Sequence, residues 1–135
     1  MRDHGGDLAR AQALYGAGDW LDLSTGINPL AYPMPHLSPY VMTRLPESTD
    51  LAMLEAIAQD CYGTAASVVP LAGAQAAIQL VPRLRVPGVA RVLGPTYNEH
   101  AGALAAQGWQ VKQVQSPDEL AGADLSVVVN PNNPD

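Results

Sequence analysis

Basic residues and cysteines are scarce in this chain. Its 135 residues include seven Lys and Arg against thirteen Asp and Glu, which gives a net charge of −6. A surface for nucleic acid or for an anionic membrane needs more cations than this, so we expect neither partner. The one cysteine, Cys61, excludes an internal disulfide, and its place on the apolar side of a predicted helix favours a buried thiol.

Long apolar runs are absent as well. The N-terminal stretch MRDHGGDLARAQALYG lacks the continuous apolar segment of a signal peptide, and no segment has the roughly eighteen apolar residues of a membrane span. We therefore expect a cytoplasmic protein. The content of 47% apolar and 15% charged residues is typical of a globular domain.

Proline divides the chain into two parts. Residues 1–47 carry five prolines between Pro29 and Pro46, too close together for a long helix or a central strand, and we interpret them as an arm. Residues 48–135 alternate between apolar strands and helical patterns, which indicates parallel βαβ units and an α/β class. Because a parallel sheet needs both faces covered and the chain ends on a strand, we expect a fragment of a larger fold.

The elements of the second part have recognisable ends. We predict a helix that Asp50 caps and Gly63 ends, with Cys61 on its apolar face. Further helices are predicted at 74–84 and 98–107, and a short one follows the capping box that opens at Ser116. The predicted strands are 68–71, 91–94, 109–114 and 125–129.

Three turns follow strands and face the same edge of the sheet. Gly73 lies where a strand meets a helix, so its neighbouring amides predict either a phosphate cradle or an ordinary turn. Tyr97 follows the next strand, where its ring stacks on a planar ligand or packs at the helix start. The last strand runs into Asn130-Pro131-Asn132-Asn133-Pro134, whose second Asn-Pro pair is a candidate cis peptide or an isolated turn.

The histidines do not predict a metal site. His4, His36 and His100 are scattered, and no carboxylate pair accompanies them at ligand spacing. His4 either contacts a substrate phosphate or is solvated. His100, one helical turn after Tyr97, either faces the edge of a bound ring or lies on the helix surface.

The order and spacing of these turns resemble the start of the large domain in the fold-type I pyridoxal-phosphate enzymes, the class I/II aminotransferase family. The arm is the more specific part. His4-Gly5-Gly6-Asp7, followed by Trp20-Leu21-Asp22-Leu23-Ser24-Thr25-Gly26-Ile27-Asn28-Pro29, looks like the opening of the threonine-phosphate decarboxylase branch.

This resemblance implies pyridoxal 5′-phosphate as cofactor and assigns roles by position. The cofactor-binding residues would be Gly73, Ala74 and Gln75 at the phosphate, Tyr97 on the pyridine ring and Asn133 at the phenolic oxygen. The substrate-binding residues would be His4, Gly26, Ile27 and Asn28. The resemblance places the lysine that forms the Schiff base beyond Asp135. The single lysine of the sequence, Lys112, lies in a Gln-rich, solvated strand and is not expected to be the nucleophile.

The resemblance also implies a domain organisation and an activity. Residues 1–47 would be the arm and part of the small domain, and residues 48–135 the first half of the cofactor-binding large domain. Of the four predicted strands, only the second and third would be direct neighbours. The complete enzyme would be a cytoplasmic homodimer that decarboxylates L-threonine O-3-phosphate to (R)-1-amino-2-propanol O-2-phosphate in cobalamin biosynthesis, and these 135 residues alone would be inactive.

Two alternatives stay open from the sequence. The first is a histidinol-phosphate or other class I/II aminotransferase of the same fold. The second belongs to another class, a non-catalytic α/β module that binds a phosphorylated ligand.

Overall fold

A computed structural model describes residues 5–132 of the chain. The four α-helices are α1 (Leu8–Tyr15), α2 (Ser48–Tyr62), α3 (Ala74–Leu80) and α4 (Glu99–Ala106). The three strands are β1 (Val89–Leu93), β2 (Gln110–Val114) and β3 (Leu125–Val127). Short 3-10 helices span Pro39–Met42, Val81–Arg83 and Pro117–Leu120.

The strands form one parallel sheet in the order β2-β1-β3. Val89 pairs with Gln110 on one side of β1, and Ala90 pairs with Leu125 on the other. Parallel strands joined by helical crossovers confirm the predicted α/β class.

The prediction that only the second and third strands are neighbours was wrong, because β3 also pairs directly with β1. The start of β3 is tied to the start of β1. Asp124 Oδ2 accepts from the Val89 N–H at 2.8 Å, and the Asp124 N–H donates to the Val89 carbonyl at 2.9 Å. Arg91 adds hydrogen bonds to the Glu119 and Ala121 carbonyls, which hold the connecting 3-10 helix against the sheet.

The core lies between the sheet and α4. It consists of Ala90 and Val92 from β1, Leu104 from α4, and Trp109 directly before β2. The Trp109 Nε1–H donates to the Pro82 carbonyl at 3.0 Å, which satisfies the buried indole and holds the 3-10 helix after α3 beside the core.

The arm and α2 lie outside this core. Every residue from 12 to 54 is exposed, and α2 has no buried residue. Gly63 ends α2 with φ +61°, as predicted. Asp50 was wrongly predicted as the cap, because Glu47 takes that position and Asp50 completes the capping box as its third residue.

Two further predictions were wrong. Cys61 is exposed, because no described element packs on the apolar face of α2. Residues 68–71 form no strand, since Pro70 has no N–H to donate and no described strand lies beside them. The structure also adds α1, whose N-terminus is capped where Asp7 Oδ1 accepts from the Arg10 N–H at 3.0 Å.

Candidate active site

A cleft of about 770 Å³ lies at the carboxyl ends of the strands. This is the edge where open parallel sheets collect ligands, because the strand-end loops meet there. The loops after β1 and β3 and the first turns of α3 and α4 form its floor, and the arm closes one side. The lining residues are Gly5, Ser24, Thr25, Gly26, Gln75, Thr96, Tyr97, Asn98, Glu99, Val129, Pro131 and Asn132.

The start of α3 supplies backbone donors. Gly73 precedes the helix with φ +80°, a conformation that suits glycine, and its carbonyl accepts from the Ala76 N–H at 3.2 Å. The amides of Ala74 and Gln75 come before the first intrahelical hydrogen bond, so the helix offers them no carbonyl. Two N–H groups at the positive end of a short helix are suited to an anionic oxygen.

Glu99 lies in the first turn of α4 and joins it to α3. Its carboxylate accepts from the Gln75 side-chain amide at 3.1 Å, and the residue is only 5% exposed. Among the lining residues that the structure describes, Glu99 is the sole charged side chain. Any anion in this cleft is therefore bound by backbone and neutral donors instead of by a described cation.

Tyr97 carries the aromatic surface of the cleft. Its side chain is about half exposed, at 48%, and its ring meets the His100 ring edge to face with centroids 6.3 Å apart. Burial lowers the pKa of His100 below its ordinary value, which favours the neutral imidazole at pH 7. The pair offers an uncharged aromatic surface beside the cleft.

Asn132 joins the two strand-end loops. Its Oδ1 accepts from the Thr96 hydroxyl at 2.7 Å, and its Nδ2 donates to the Pro95 carbonyl at 2.8 Å. The two loops contain cis peptide bonds at Gly94-Pro95 and Asn130-Pro131.

The arm reaches the cleft through a small hydrogen-bonded loop. The Gly6 N–H donates to Ser24 Oγ at 2.7 Å, and the Ser24 hydroxyl and N–H donate to Asp22 Oδ1 at 2.5 and 2.9 Å. These bonds from Ser24 hold the pKa of Asp22 below its ordinary value. Gly5 packs so closely on Ser24 that a Cβ there would overlap the Ser24 carbonyl and hydroxyl oxygens.

The structure brings together three of the residues predicted from sequence: Gln75, Tyr97 and Gly26 line the cleft. Gly73 and Ala74 adjoin it at the start of α3, and Ile27 and Asn28 continue along the arm without lining it. The roles assigned to all of these residues stay predictions. His4 and Asn133 lie outside the described residues, as does the Asn133-Pro134 peptide bond.

Several lining residues were not singled out from sequence. Gly5 comes from the first arm motif, and Ser24 and Thr25 come from the segment that holds Gly26. Glu99 lines the cleft from the first turn of α4, and Asn132 lines it from the loop after β3. A charged residue opening an otherwise Ala-rich helix was the available signal for Glu99. Asn132 stands in the Asn-Pro turn, but its contacts depend on the fold of a loop 36 residues away in sequence.

The part of the chain that the structure describes holds neither a metal-binding cluster nor a membrane-spanning helix. Among residues 5–132, no group of three or more His, Cys, Asp or Glu side chains could hold a metal ion. No described helix has both the length and the apolar character needed to cross a bilayer. Lys112 is exposed on β2 and is not among the lining residues of the cleft.

Comparison with known proteins confirms the resemblance expected from the sequence. No protein-family profile matches the chain. A protein of Pseudomonas aeruginosa named threonine-phosphate decarboxylase is 47% identical over 139 residues, an alignment that covers 99% of this chain and 41% of that protein. A protein of the same name from a Sinorhizobium species is 42% identical over 136 residues, covering 97% of this chain and 41% of that protein. Along nearly its whole length the chain is thus similar to threonine-phosphate decarboxylases, and it spans about two fifths of the length of these relatives.

Proposed function

We propose that this chain forms part of the cofactor and substrate site of a pyridoxal-phosphate-dependent threonine-phosphate decarboxylase. One observation carries the proposal: the amide-bearing start of α3, the Tyr97 loop, the Asn132 loop and the arm converge on a single cleft. The names of two relatives at 47% and 42% identity support the reaction and the substrate class.

The residues of the cleft fit the cofactor in kind. The amides of Ala74 and Gln75 would bind its phosphate, the exposed face of the Tyr97 ring would lie on its pyridine ring, and Asn133 would donate to its phenolic oxygen. The His100 imidazole, whose lowered pKa favours the neutral form, lies against the Tyr97 ring with the two ring centroids 6.3 Å apart and supports that ring from within α4. When bound, the cofactor supplies a ring that accepts the electron pair of the carbon–carboxylate bond as carbon dioxide leaves.

The arm would form the substrate side of the cleft. Gly26 lines it directly, with Ile27, Asn28 and His4 assigned to the same side by the resemblance. The closed loop made by Ser24, Asp22 and Gly6 holds this wall in place, and the tight Gly5–Ser24 contact leaves no gap there. A fixed wall orients the phosphorylated amino acid so that the bond from its α-carbon to the carboxylate breaks, and not another bond of the α-carbon.

The proposed reaction needs an amine that none of the described lining residues of the cleft supplies. The only lysine of the sequence, Lys112, is exposed on β2 and does not line the cleft. We therefore propose that these residues bind and orient, while the lysine comes from sequence other than these 135 residues. We further propose a cytoplasmic homodimer with a role in cobalamin biosynthesis, on the resemblance of the arm.

The test uses the gene product at its native length, loaded with pyridoxal phosphate and given L-threonine O-3-phosphate. We expect release of carbon dioxide with formation of 1-amino-2-propanol phosphate. Transfer of the amino group to 2-oxoglutarate without carbon dioxide would instead identify an aminotransferase. Phosphothreonine binding without visible cofactor absorbance would indicate a non-catalytic module.

A pair of variants checks the cleft itself. Tyr97→Ala should weaken pyridoxal-phosphate binding about tenfold, because base-like stacking on an aromatic side chain contributes about 1–3 kcal/mol. Tyr97→Phe keeps the ring and should stay within about threefold of wild type. Equal affinity in Tyr97→Ala and wild type would remove Tyr97 from the site.

A further inference from the structure

Asn132 uses both ends of its side-chain amide to connect the loops that follow β1 and β3. The Thr96 Oγ1–H donates to Asn132 Oδ1 at 2.7 Å, and Asn132 Nδ2–H donates to the Pro95 carbonyl at 2.8 Å. A planar amide bound at both its acceptor and its donor has one fixed orientation. The Asn132 side chain therefore fixes the distance between the loop after β3 and two consecutive residues, Pro95 and Thr96, of the loop after β1.

These two contacts act on the residue that follows them. Tyr97 comes directly after Thr96, and the loop from Pro95 to Asn98 is otherwise mostly exposed. At its start, the Gly94 N–H donates to the Val114 carbonyl at 2.9 Å, and α4 follows at Glu99. Between these two anchors the Asn132 side chain bonds the two residues directly before Tyr97, and the Tyr97 carbonyl itself accepts from the His100 N–H at 3.4 Å.

We propose that Asn132 is a positioning residue, which fixes the height and tilt of the Tyr97 ring on the floor of the cleft through Thr96 and Pro95. The proposal rests on the proposed function, since the ring matters because a planar cofactor lies on it. It goes beyond that function by assigning a task to a side chain that need not touch the cofactor.

The chemistry of the contacts restricts the residue at this position. Aspartate can accept from Thr96, but as a carboxylate it has no hydrogen for the Pro95 carbonyl and brings two oxygens together. Alanine removes both bonds. On the other side, Thr96→Val removes the hydroxyl with little change in shape, whereas Thr96→Ser keeps it.

The experiment measures pyridoxal-phosphate affinity and the visible circular dichroism of the bound cofactor in the gene product at its native length. Asn132→Ala and Asn132→Asp should each raise the Kd about tenfold, equivalent to about 1.4 kcal/mol. This free energy lies within the range that two neutral hydrogen bonds contribute. The dichroism band should shrink or change sign because the ring that orients the cofactor has tilted. Thr96→Val should weaken the affinity in part, and Thr96→Ser, which keeps the hydroxyl, should have an affinity and a dichroism band near those of wild type.

Controls separate positioning from a general loss of stability. Gln110→Ala removes an exposed amide at the start of β2 and should leave both readouts unchanged. In the double variant Asn132→Ala/Thr96→Val, the loss of affinity should be smaller than the product of the two single losses, because both variants remove the same bond. A purely structural role would lower the melting temperature without altering the dichroism of the cofactor that still binds.

Three results would overturn the inference. They are wild-type affinity and dichroism in Asn132→Ala and Thr96→Val, a lower melting temperature with unchanged dichroism in Asn132→Ala, or independent effects that multiply in the double variant. Failure of wild type to bind pyridoxal phosphate would count against the proposed function instead. In that case hydrogen exchange at the Thr96 and Tyr97 amides tests whether the Asn132 contacts restrain this loop. Faster exchange in Asn132→Ala supports the inference, and unchanged exchange rejects it.

Discussion

Ser24 binds Asp22 twice, and this determines how the arm responds to acid. Because the folded state lowers the pKa of Asp22, the ionised carboxylate favours the closed loop above the ordinary pKa of 3.8. That contribution is lost as the pH falls below 3.8 and through the lower, folded pKa. Ser24→Ala removes the hydroxyl donor and leaves the N–H donor, so we expect the pKa of Asp22 to rise part of the way back. An NMR titration of the Asp22 carboxyl carbon measures this change.

Ser38→Ala is the matched control for that titration. Ser38 also accepts a backbone N–H through its hydroxyl, from Tyr40 at 3.4 Å, but it does not contact Asp22. The Asp22 titration should be the same in Ser38→Ala and wild type. An Asp22 pKa that does not move in Ser24→Ala would show that the hydroxyl bond is not the cause of the shift.

Single residues differ in how far the sequence predicts their place. Gln75, Tyr97 and Gly26 each stand next to a local signal, a glycine turn or a strand end, and all three reach the cleft. Asn132 and Glu99 act on partners 36 and 24 residues away, so a local pattern marks at most their positions and does not reveal their contacts. Such contacts depend on which strands become neighbours. The pairing of β3 with β1 was not predicted.

At the scale of elements, α4 provides the main cover of the sheet. Leu104 is 2% exposed and packs on Ala90, Val92 and Trp109. Leu104→Ala should therefore lower the free energy of unfolding by about 2–5 kcal/mol, from lost transfer free energy and the cavity that remains. Urea denaturation of the gene product at its native length, followed by far-UV circular dichroism, measures the change.

Leu104→Met tests whether volume is the cause. Methionine fills a similar volume and should cost less than about 1.5 kcal/mol. If the two variants are equally destabilised, packing volume at α4 does not explain the effect. A cost below about 1 kcal/mol for Leu104→Ala would mean that α4 does not cover the sheet as described.

Two local end signals predicted from the sequence were confirmed, although the cap of α2 lies at Glu47 and not at the predicted Asp50. Gly63 ends α2 in the left-handed region, and Ser116 with Glu119 forms the predicted capping box. Both depend on backbone sterics and on hydrogen bonds within four residues. The predicted burial of Cys61 and the predicted strand at 68–71 depended on neighbours that the described chain does not provide, and both were wrong.

At the scale of the whole molecule, the apolar surface is large for the core beneath it. Only six hydrophobic side chains are buried among residues 5–132, whereas Met53, Leu54 and Ile57 of α2 are 61%, 49% and 60% exposed. Both outer strands, β2 and β3, have one neighbour each and leave a row of backbone groups open. We expect a core of this size to contribute less free energy than the conformational entropy that the ordered chain loses.

We therefore expect the purified 135-residue polypeptide to unfold without a sharp thermal transition, to bind an apolar dye and to aggregate with rising concentration. The gene product at its native length is the control. If that product is longer, it should unfold cooperatively and bind little dye, because the α2 face and the strand edges are then covered. Met53→Ser/Ile57→Ser should reduce dye binding by the polypeptide, since it removes apolar side chains from the exposed face. A sharp, cooperative transition in the 135-residue polypeptide would show that the described core suffices, and the exposed face of α2 would then need a different explanation.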